Sequence, residues 1–275
     1  MHSVLVGATA SKPGPALGTV CGVQANADLV VVGAGPAGAA AAMTARARGL
    51  DVVVLDRATF PRDKTCGDGL TAAALRLLER FGVDVPRLPA AAVRTVVVVG
   101  PDRWQVELPL PNAGLHAAVV ARADLDAAVV ARAEALGVVV RTGVGVDRVD
   151  EDADAVVVRT NDGATVRAGA VIAADGHYSG VRRAHGAESP DLGTWHAVRQ
   201  YYRQVGDPRL WVLFERDLLP GYAWVFPLPG GRANVGFGVL RGAGHDGHSL
   251  AALWPDLLTR APMRAALGPR AEPEG

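Results

Sequence analysis

Residues 33–38 read Gly-Ala-Gly-Pro-Ala-Gly, a G-x-G-x-x-G spacing set where a β-branched run, 28–32, gives way to the small residues of 36–48. A second apolar run, 51–55, follows and ends on Asp56, eighteen positions beyond Gly38. The order predicts strand, helix, strand, with an acid close to the ~20-residue offset that a dinucleotide site places on a ribose. Each glycine has its own physical task. Gly33 permits the tight turn, Gly35 lets backbone approach a pyrophosphate, and Gly38 lets the helix pack against the sheet. The amides of the helix N-terminus, which opens at Pro36 and Ala37, then face the phosphates. A carboxylate at Asp56 disfavours a 2′-phosphate, although Arg57 beside it keeps NADP open. A ligand-free glycine turn would explain the hexapeptide alone; it does not explain the hexapeptide together with the strand, the helix and the distal acid.

The rest of the chain supports a large globular fold. Its 275 residues are 49% hydrophobic and 20% charged, enough apolar surface to offset the entropy of ordering. Twenty-eight basic residues balance twenty-eight acidic ones, which argues against a polyanion-binding surface and so against nucleic acid as a partner. Two cysteines, Cys21 and Cys66, are too few for a secreted disulfide framework, and a cytoplasmic setting is expected. No run reaches the ~18–20 apolar residues of a spanning helix. Residues 1–27 read as a flexible tail without a basic leader region. His177, His185 and His196 lack metal-ligand spacing, and no metal is assigned.

Periodicity predicts a helix over 70–81 with Leu75, Leu77 and Leu78 as its stripe, and a hairpin from 94–99 and 104–108. It continues with a helix over 119–137, a strand at 138–141, a meander through 144–149, 155–160 and 164–168, and a further strand at 171–174. From 194 to 240 the composition shifts to strands rich in Tyr, Trp, Phe and Val, which places a second domain after about residue 190.

The fingerprint does not separate FAD from NAD(P). Val171-Ile172-Ala173-Ala174-Asp175-Gly176, followed by Ser179 and Arg182, resembles the second cofactor segment of flavoproteins that include the aromatic hydroxylases. Arg122-Ala123-Asp124-Leu125-Asp126 resembles that group's FAD-reaching arginine; a helix start with well-placed acids also accounts for it. Pro61-Arg62-Asp63-Lys64-Thr65-Cys66-Gly67-Asp68-Gly69-Leu70 resembles a loop of the geranylgeranyl reductase family. Tyr222-Ala223-Trp224-Val225-Phe226-Pro227, then eight residues, then Gly236-Phe237-Gly238 resembles the same family's aromatic motif. These matches are collinear from residue 28 to residue 240.

The resemblance implies an α/β fold: a Rossmann-like FAD-binding domain of hydroxylase type at 28–190, with the hairpin 91–112 joining a second sheet, and a partial antiparallel-sheet substrate domain at 191–275. It implies FAD, reduced by NAD(P)H or another donor, passing hydride to isolated double bonds of a polyprenyl chain on a lipid or quinone. The hydrophobic substrate would bring the protein to a membrane surface. Cofactor contacts are expected from Gly33, Gly35, Pro36, Ala37, Gly38, Asp56, Arg57, Lys64, Arg122, Val146, Asp175 and Gly176. Cys66 leads the candidates at the reacting centre, with an ordinary small thiol as its alternative, and Asp68 and Tyr222 follow as proton-relay candidates. Alternate residues on a strand share a face, so Tyr222, Trp224 and Phe226 form either a hydrocarbon slot or plain core. Family members continue into a Gly-Asp segment facing the flavin, and the chain stops at Gly275 before one. That leaves a truncated chain, a second polypeptide completing the site, or a copy that no longer holds flavin. A flavin monooxygenase and a non-catalytic nucleotide-binding remnant are the alternative functions.

Overall fold

The computed structural model describes residues 5–7, 24–186, 193–242 and 247–274. They divide into two compact units, one built from residues within 1–62, 81–83 and 126–192, the other from residues within 63–80, 84–125 and 193–275.

The first unit is a seven-stranded mixed sheet. Gln24–Val32 lies at its centre, parallel to Val52–Asp56 on one side and to Thr165–Ala173 on the other, and Val139–Thr142 extends the parallel part. Val156–Thr160 and Val146–Glu151 continue as an antiparallel meander, and Leu5–Gly7 pairs antiparallel with the far half of Thr165–Ala173. The central strands are continuous valine runs because both of their faces are covered, the usual state of a parallel sheet: Val30 and Val31 are fully buried. The helix Pro36–Arg46 presents small residues, Gly38, Ala39, Ala42 and Ala45, on its buried face. The stretches expected as separate strands at 164–168 and 171–174 form one strand, since parallel pairing with residues 24–32 supports its whole length. The central strand likewise starts at Gln24, ahead of the expected residue 28.

The second unit has a seven-stranded sheet in the order Glu272–Pro273, Trp195–Arg203, Arg232–Leu240, Tyr222–Leu228, Leu210–Leu213, Thr95–Val99, Gln105–Pro109. The helices Gly247–Thr259 and Ala261–Leu267 supply Leu257, Met263, Ala266 and Leu267 to a core with Val225, Val235, Phe237 and Val239. The opposite face carries Tyr201, Phe226, Leu210 and Val96, which pack with Val93 and Val119. Val119 belongs to a three-stranded sheet of Gly69–Thr71, Ala117–Val120 and Ala90–Ala92.

Residues 63–80 and 84–125 thus join 193–275 in one unit: beyond the hairpin 91–112, already expected in a second sheet, residues 63–80 and the rest of 84–125 belong with it, and the division does not fall near residue 190 alone. The reason is a pairing between distant segments: Thr95–Val99 runs parallel to Leu210–Leu213. Two expected helices are also shorter than periodicity implies. Residues 69–71 and 117–120 pair with each other as strands, and the helices begin at Ala72 and Arg122. On the first helix Leu75 is buried while Leu77 is 54% exposed, because two residues along a helix turn a side chain to the opposite side.

Candidate functional site

In the first unit the glycine turn follows directly from the strand that precedes it. Gly33 has φ +102°, a left-handed conformation that L side chains rarely adopt, and a Cβ there would overlap the Ala174 carbonyl. A Cβ on Gly38 would overlap the Gly33 carbonyl and stand 3.2 Å from Ala174 Cβ. Gly35 differs from both. It caps the helix Pro36–Arg46 in an ordinary extended conformation, φ −66° and ψ 176°, with Pro36 in the first turn. The space in front of it is open except for the Arg62 guanidinium, 3.6 Å from where a Cβ would stand. Pro36 and Ala37 are exposed, so the positive end of the helix faces open space and suits an anion.

Asp56 braces this turn. Its Oδ2 accepts from Ala34 N at 2.7 Å and its Oδ1 from Ala58 N at 2.8 Å, and each oxygen retains a lone pair for a further hydroxyl. Arg57 beside it is exposed. Val146 opens the meander strand, two residues after Val144, whose N–H donates to the Asp56 carbonyl at 2.9 Å. Asp175 lies two residues past the strand Thr165–Ala173, which runs parallel to Gln24–Val32. Its Oδ2 accepts from Gly180 N at 2.7 Å, while its Oδ1 is buried without a hydrogen-bond partner. Gly176 takes φ +85°. Arg62, absent from the expected set, belongs with these residues: its guanidinium lies 3.1 Å from the fully buried Asp126 and 4.9 Å over the Phe60 ring. Its only signal in the sequence is its place in the Pro61–Leu70 run. A half-buried carboxylate with unfilled acceptor capacity, a guanidinium and an open helix start suit the hydroxyls and phosphates of a dinucleotide.

In the second unit the Cys66-Gly67-Asp68-Gly69 turn rests on the aromatic strand. A Cβ on Gly67 would stand 3.6 Å from the Phe226 ring and 3.7 Å from the Trp224 ring, and one on Gly69 would stand 3.2 Å from Phe226. Tyr222, Trp224 and Phe226 form a line with ring centroids 6.0 Å apart at each step. Tyr222 is 40% exposed, Trp224 is buried and Phe226 is half-buried. Cys66 is a half-buried free thiol, and Lys64 is exposed. Asp63 pairs with Arg199 at 2.5 Å; burial opposes ionisation, but that guanidinium holds the Asp63 carboxyl below its usual range. Arg122 is half-buried at the start of its helix, and its charge acts on Asp63 and Asp68.

Asp68 is 2% exposed and takes φ +64°, left-handed for a residue with a side chain. Its Oδ2 accepts from the Tyr201 hydroxyl at 2.7 Å and from Asn234 Nδ2 at 2.8 Å, while its Oδ1 is buried without a partner. Burial raises its pKa above the usual carboxylate value, against the opposing pull of those two hydrogen bonds. Burial and Asp68 together raise the Tyr201 phenol as well. Arg199, Tyr201 and Asn234 were not expected from sequence, since none lies in a quoted motif and only the pairing of their strands brings them to the turn.

The raised Asp68 pKa has a testable consequence. The folded state holds this proton more tightly than the unfolded chain, so stability is lost as pH rises past about 3.9, the ordinary aspartate value. Asp68→Asn stays neutral at every pH. Its melting temperature relative to the parent is expected to climb as pH rises past about 3.9; a difference independent of pH would contradict a raised Asp68 pKa.

The FAD binding domain family matches residues 26–202. Menaquinone reductase of Mycolicibacterium smegmatis is 37% identical over 241 residues, covering 79% of this chain and 56% of that protein. Digeranylgeranylglycerophospholipid reductase 1 of Methanopyrus kandleri is 34% identical over 263 residues, covering 86% of this chain and 63% of that protein. The chain therefore spans a little over half the length of these curated relatives. A geranylgeranyl bacteriochlorophyll reductase-like protein from Thermoplasma acidophilum superposes with a TM-score of 0.79 at 25% identity, covering 92% of this chain and 65% of that one. The family match begins just ahead of the glycine turn and takes in the Asp56 and Asp175 segments, and the chain belongs to the FAD binding domain family.

Proposed function

We propose that the chain is the FAD-holding and substrate-contacting part of a reductase that saturates isolated C=C bonds in a polyprenyl chain carried by a lipid or quinone. The observation that carries this reading is the Cys66–Gly69 turn packed on the line of Tyr222, Trp224 and Phe226, an apolar strip with a buried acid beside it. The names of the relatives support the substrate class.

Gly35 and Ala37 would bring the exposed helix start to the pyrophosphate, with Pro36, which has no N–H, setting the first turn and Arg62 alongside, while Gly33 and Gly38 keep the turn tight against the sheet. Asp56 would accept from the adenosine ribose, with Arg57 and Val146 flanking it. Asp175 and Gly176 would contact the middle of the cofactor, and Lys64 and Arg122 its charged groups. When bound, FAD reduced by NAD(P)H or another donor supplies hydride to one alkene carbon. The other carbon takes a proton. Asp68 is the acid best placed on physical grounds to hold one, since burial keeps its carboxyl protonated further up the pH scale. Cys66 and Tyr222 border the same strip. Among the described residues no helix is long and apolar enough to cross a membrane, and the lipid or quinone anchor would bring the protein to a membrane surface.

The test is a series of prenyl substrates of increasing length. Each buried CH₂ contributes about 0.8 kcal/mol before ordering costs, so affinity is expected to rise with chain length. Trp224→Ala should raise KM for long chains at least about tenfold more than for short ones, roughly 1.4 kcal/mol of lost discrimination. A residue serving only as core would lower the melting temperature and leave that ratio unchanged. Product analysis separates the oxygenase alternative: reduction adds two hydrogens, monooxygenation one oxygen.

A further inference from the structure

Asn234 is fully buried on the strand Arg232–Leu240, opposite Phe226 on one neighbouring strand and Tyr201 on the other. Its Oδ1 accepts from the Trp224 indole Nε1 at 2.9 Å. Its Nδ2 donates to the Cys66 carbonyl and to Asp68 Oδ2, both at 2.8 Å. An indole N–H only donates and a carbonyl only accepts, so these partners determine which way the amide points. An Asn-sized amide meets all three demands at once. A carboxylate would lose both donors, and an aliphatic residue would leave buried polar groups unpaired.

We propose that Asn234 is a positioning residue: it fixes the Cys66–Asp68 turn and the Trp224 ring in one mutual arrangement and so sets the accessibility of the Cys66 thiol and the surface offered to a substrate chain. The role in substrate handling rests on the reductase reading above; the hold on the turn does not. The left-handed Asp68 supports the assignment, because a residue in that conformation persists only where its surroundings over-determine it. Three contacts do so here. Asn234 and Tyr201 hold the Asp68 carboxyl, and the Asp68 carbonyl accepts from Val120 N at 3.0 Å. Asn234 alone also reaches across to the aromatic strand.

The experiment reads the alkylation rate of Cys66 by iodoacetamide in the full chain carrying Cys21→Ser, with melting temperature recorded alongside. Asn234→Ala is expected to speed alkylation about tenfold, equivalent to about 1.4 kcal/mol of easier opening of the turn. Asn234→Asp keeps the size and the acceptor for the indole. When ionised it opposes Asp68 and donates to nothing; when protonated it regains one donor. Fully buried beside Asp68, the new carboxyl takes up its proton well above the ordinary aspartate range, so its rate relative to the parent at the same pH should be high at pH ~8 and fall toward parity at pH ~5.5, while the Asn234→Ala ratio stays flat. The charged and titratable groups around this point are Asp68, Tyr201, Arg199 and Arg122, with Asp63 on Arg199 and the Arg232 guanidinium 5.4 Å over the Tyr201 ring. They are common to parent and variants; the thiol is titrated in each protein and the rates are compared per thiolate, which removes any effect of the new carboxyl on its ionisation.

Parental rates in both variants, or a pH-flat ratio for Asn234→Asp, would overturn the proposal. If Asn234→Ala does not fold, Asn234→Asp decides alone, and its failure to fold even when protonated counts against the assignment. The thiol measurement needs neither flavin nor substrate. If it succeeds while Trp224→Ala leaves the chain-length ratio untouched, the positioning of the turn stands and only the substrate reading is lost.

Discussion

Gly38→Val is expected to prevent stable folding, whereas Gly35→Val folds and loses FAD, although the two glycines lie three residues apart in one motif. At Gly38 the new Cβ meets the Gly33 carbonyl, which is backbone and cannot rotate away, and the helix Pro36–Arg46 would have to leave the sheet. Ordinary overpacking costs about 1–3 kcal/mol, and a backbone overlap at the sheet's centre costs more than that, against a typical domain stability of about 5–15 kcal/mol. At Gly35 the backbone is already in a conformation open to any L-residue, and the side chain would enter free space beside Arg62. Its melting temperature should stay near that of the parent. The same side chain occupies the approach that a pyrophosphate needs, and FAD affinity should fall about a hundredfold relative to the unchanged chain. Thermal melts and FAD titration of both variants make the test. Parental FAD binding by Gly35→Val would remove the pyrophosphate from this turn, and a parental melt for Gly38→Val would show that the helix has room to give.

A second large effect is expected at Asp126, whose side chain is fully buried and lies 3.1 Å from Arg62. A surface ion pair contributes about 0–1 kcal/mol. Breaking a buried one costs about 3–5 kcal/mol, because the remaining charge has lost its partner in a medium that solvates it poorly. Arg62 keeps part of its side chain in solvent, so the lower end of that range applies to Asp126→Ala. Urea unfolding is the measurement, with a double-mutant cycle against Arg62→Ala to isolate the pair. A loss below about 1 kcal/mol would mean that Arg62 is held by the Phe60 ring and not by the carboxylate. Because Arg62 borders the open space at Gly35, the same substitution is expected to weaken FAD binding even in the molecules that stay folded.

The nucleotide half of the chain was legible in its sequence for a local reason. A glycine turn, the strand before it and the helix after it occupy consecutive residues, and Gly38 is constrained by the Gly33 carbonyl inside that unit, whereas the Ala174 carbonyl that excludes a side chain at Gly33 comes from a segment distant in sequence. The aromatic alternation at 222–226 was legible for the same reason, since a strand's period of two is a property of neighbouring residues. Strand pairing between distant segments was not. Nothing near residue 95 indicates that Thr95–Val99 takes Leu210–Leu213 as its partner, and nothing near residue 69 that Gly69–Thr71 pairs with Ala117–Val120. For that reason helical periodicity at 70–81 runs past the helix's true start at Ala72, and Leu77 lies away from the face that buries Leu75.

By itself, then, the sequence determined the glycine turn, its distal acid and the mixed α/β class, because each depends on residues a few positions apart or on one recurring period. Only the tertiary structure decided that Arg62 stands beside Gly35 on a buried Asp126, and that Tyr201 and Asn234 converge on Asp68 beneath the Cys66 turn. Residues 68, 201 and 234 lie on separate segments, each polar side chain is unremarkable where it stands in the chain, and their hydrogen bonds exist only once the register of the paired strands has placed the Tyr201 hydroxyl and the Asn234 amide within 3 Å of the Asp68 carboxyl.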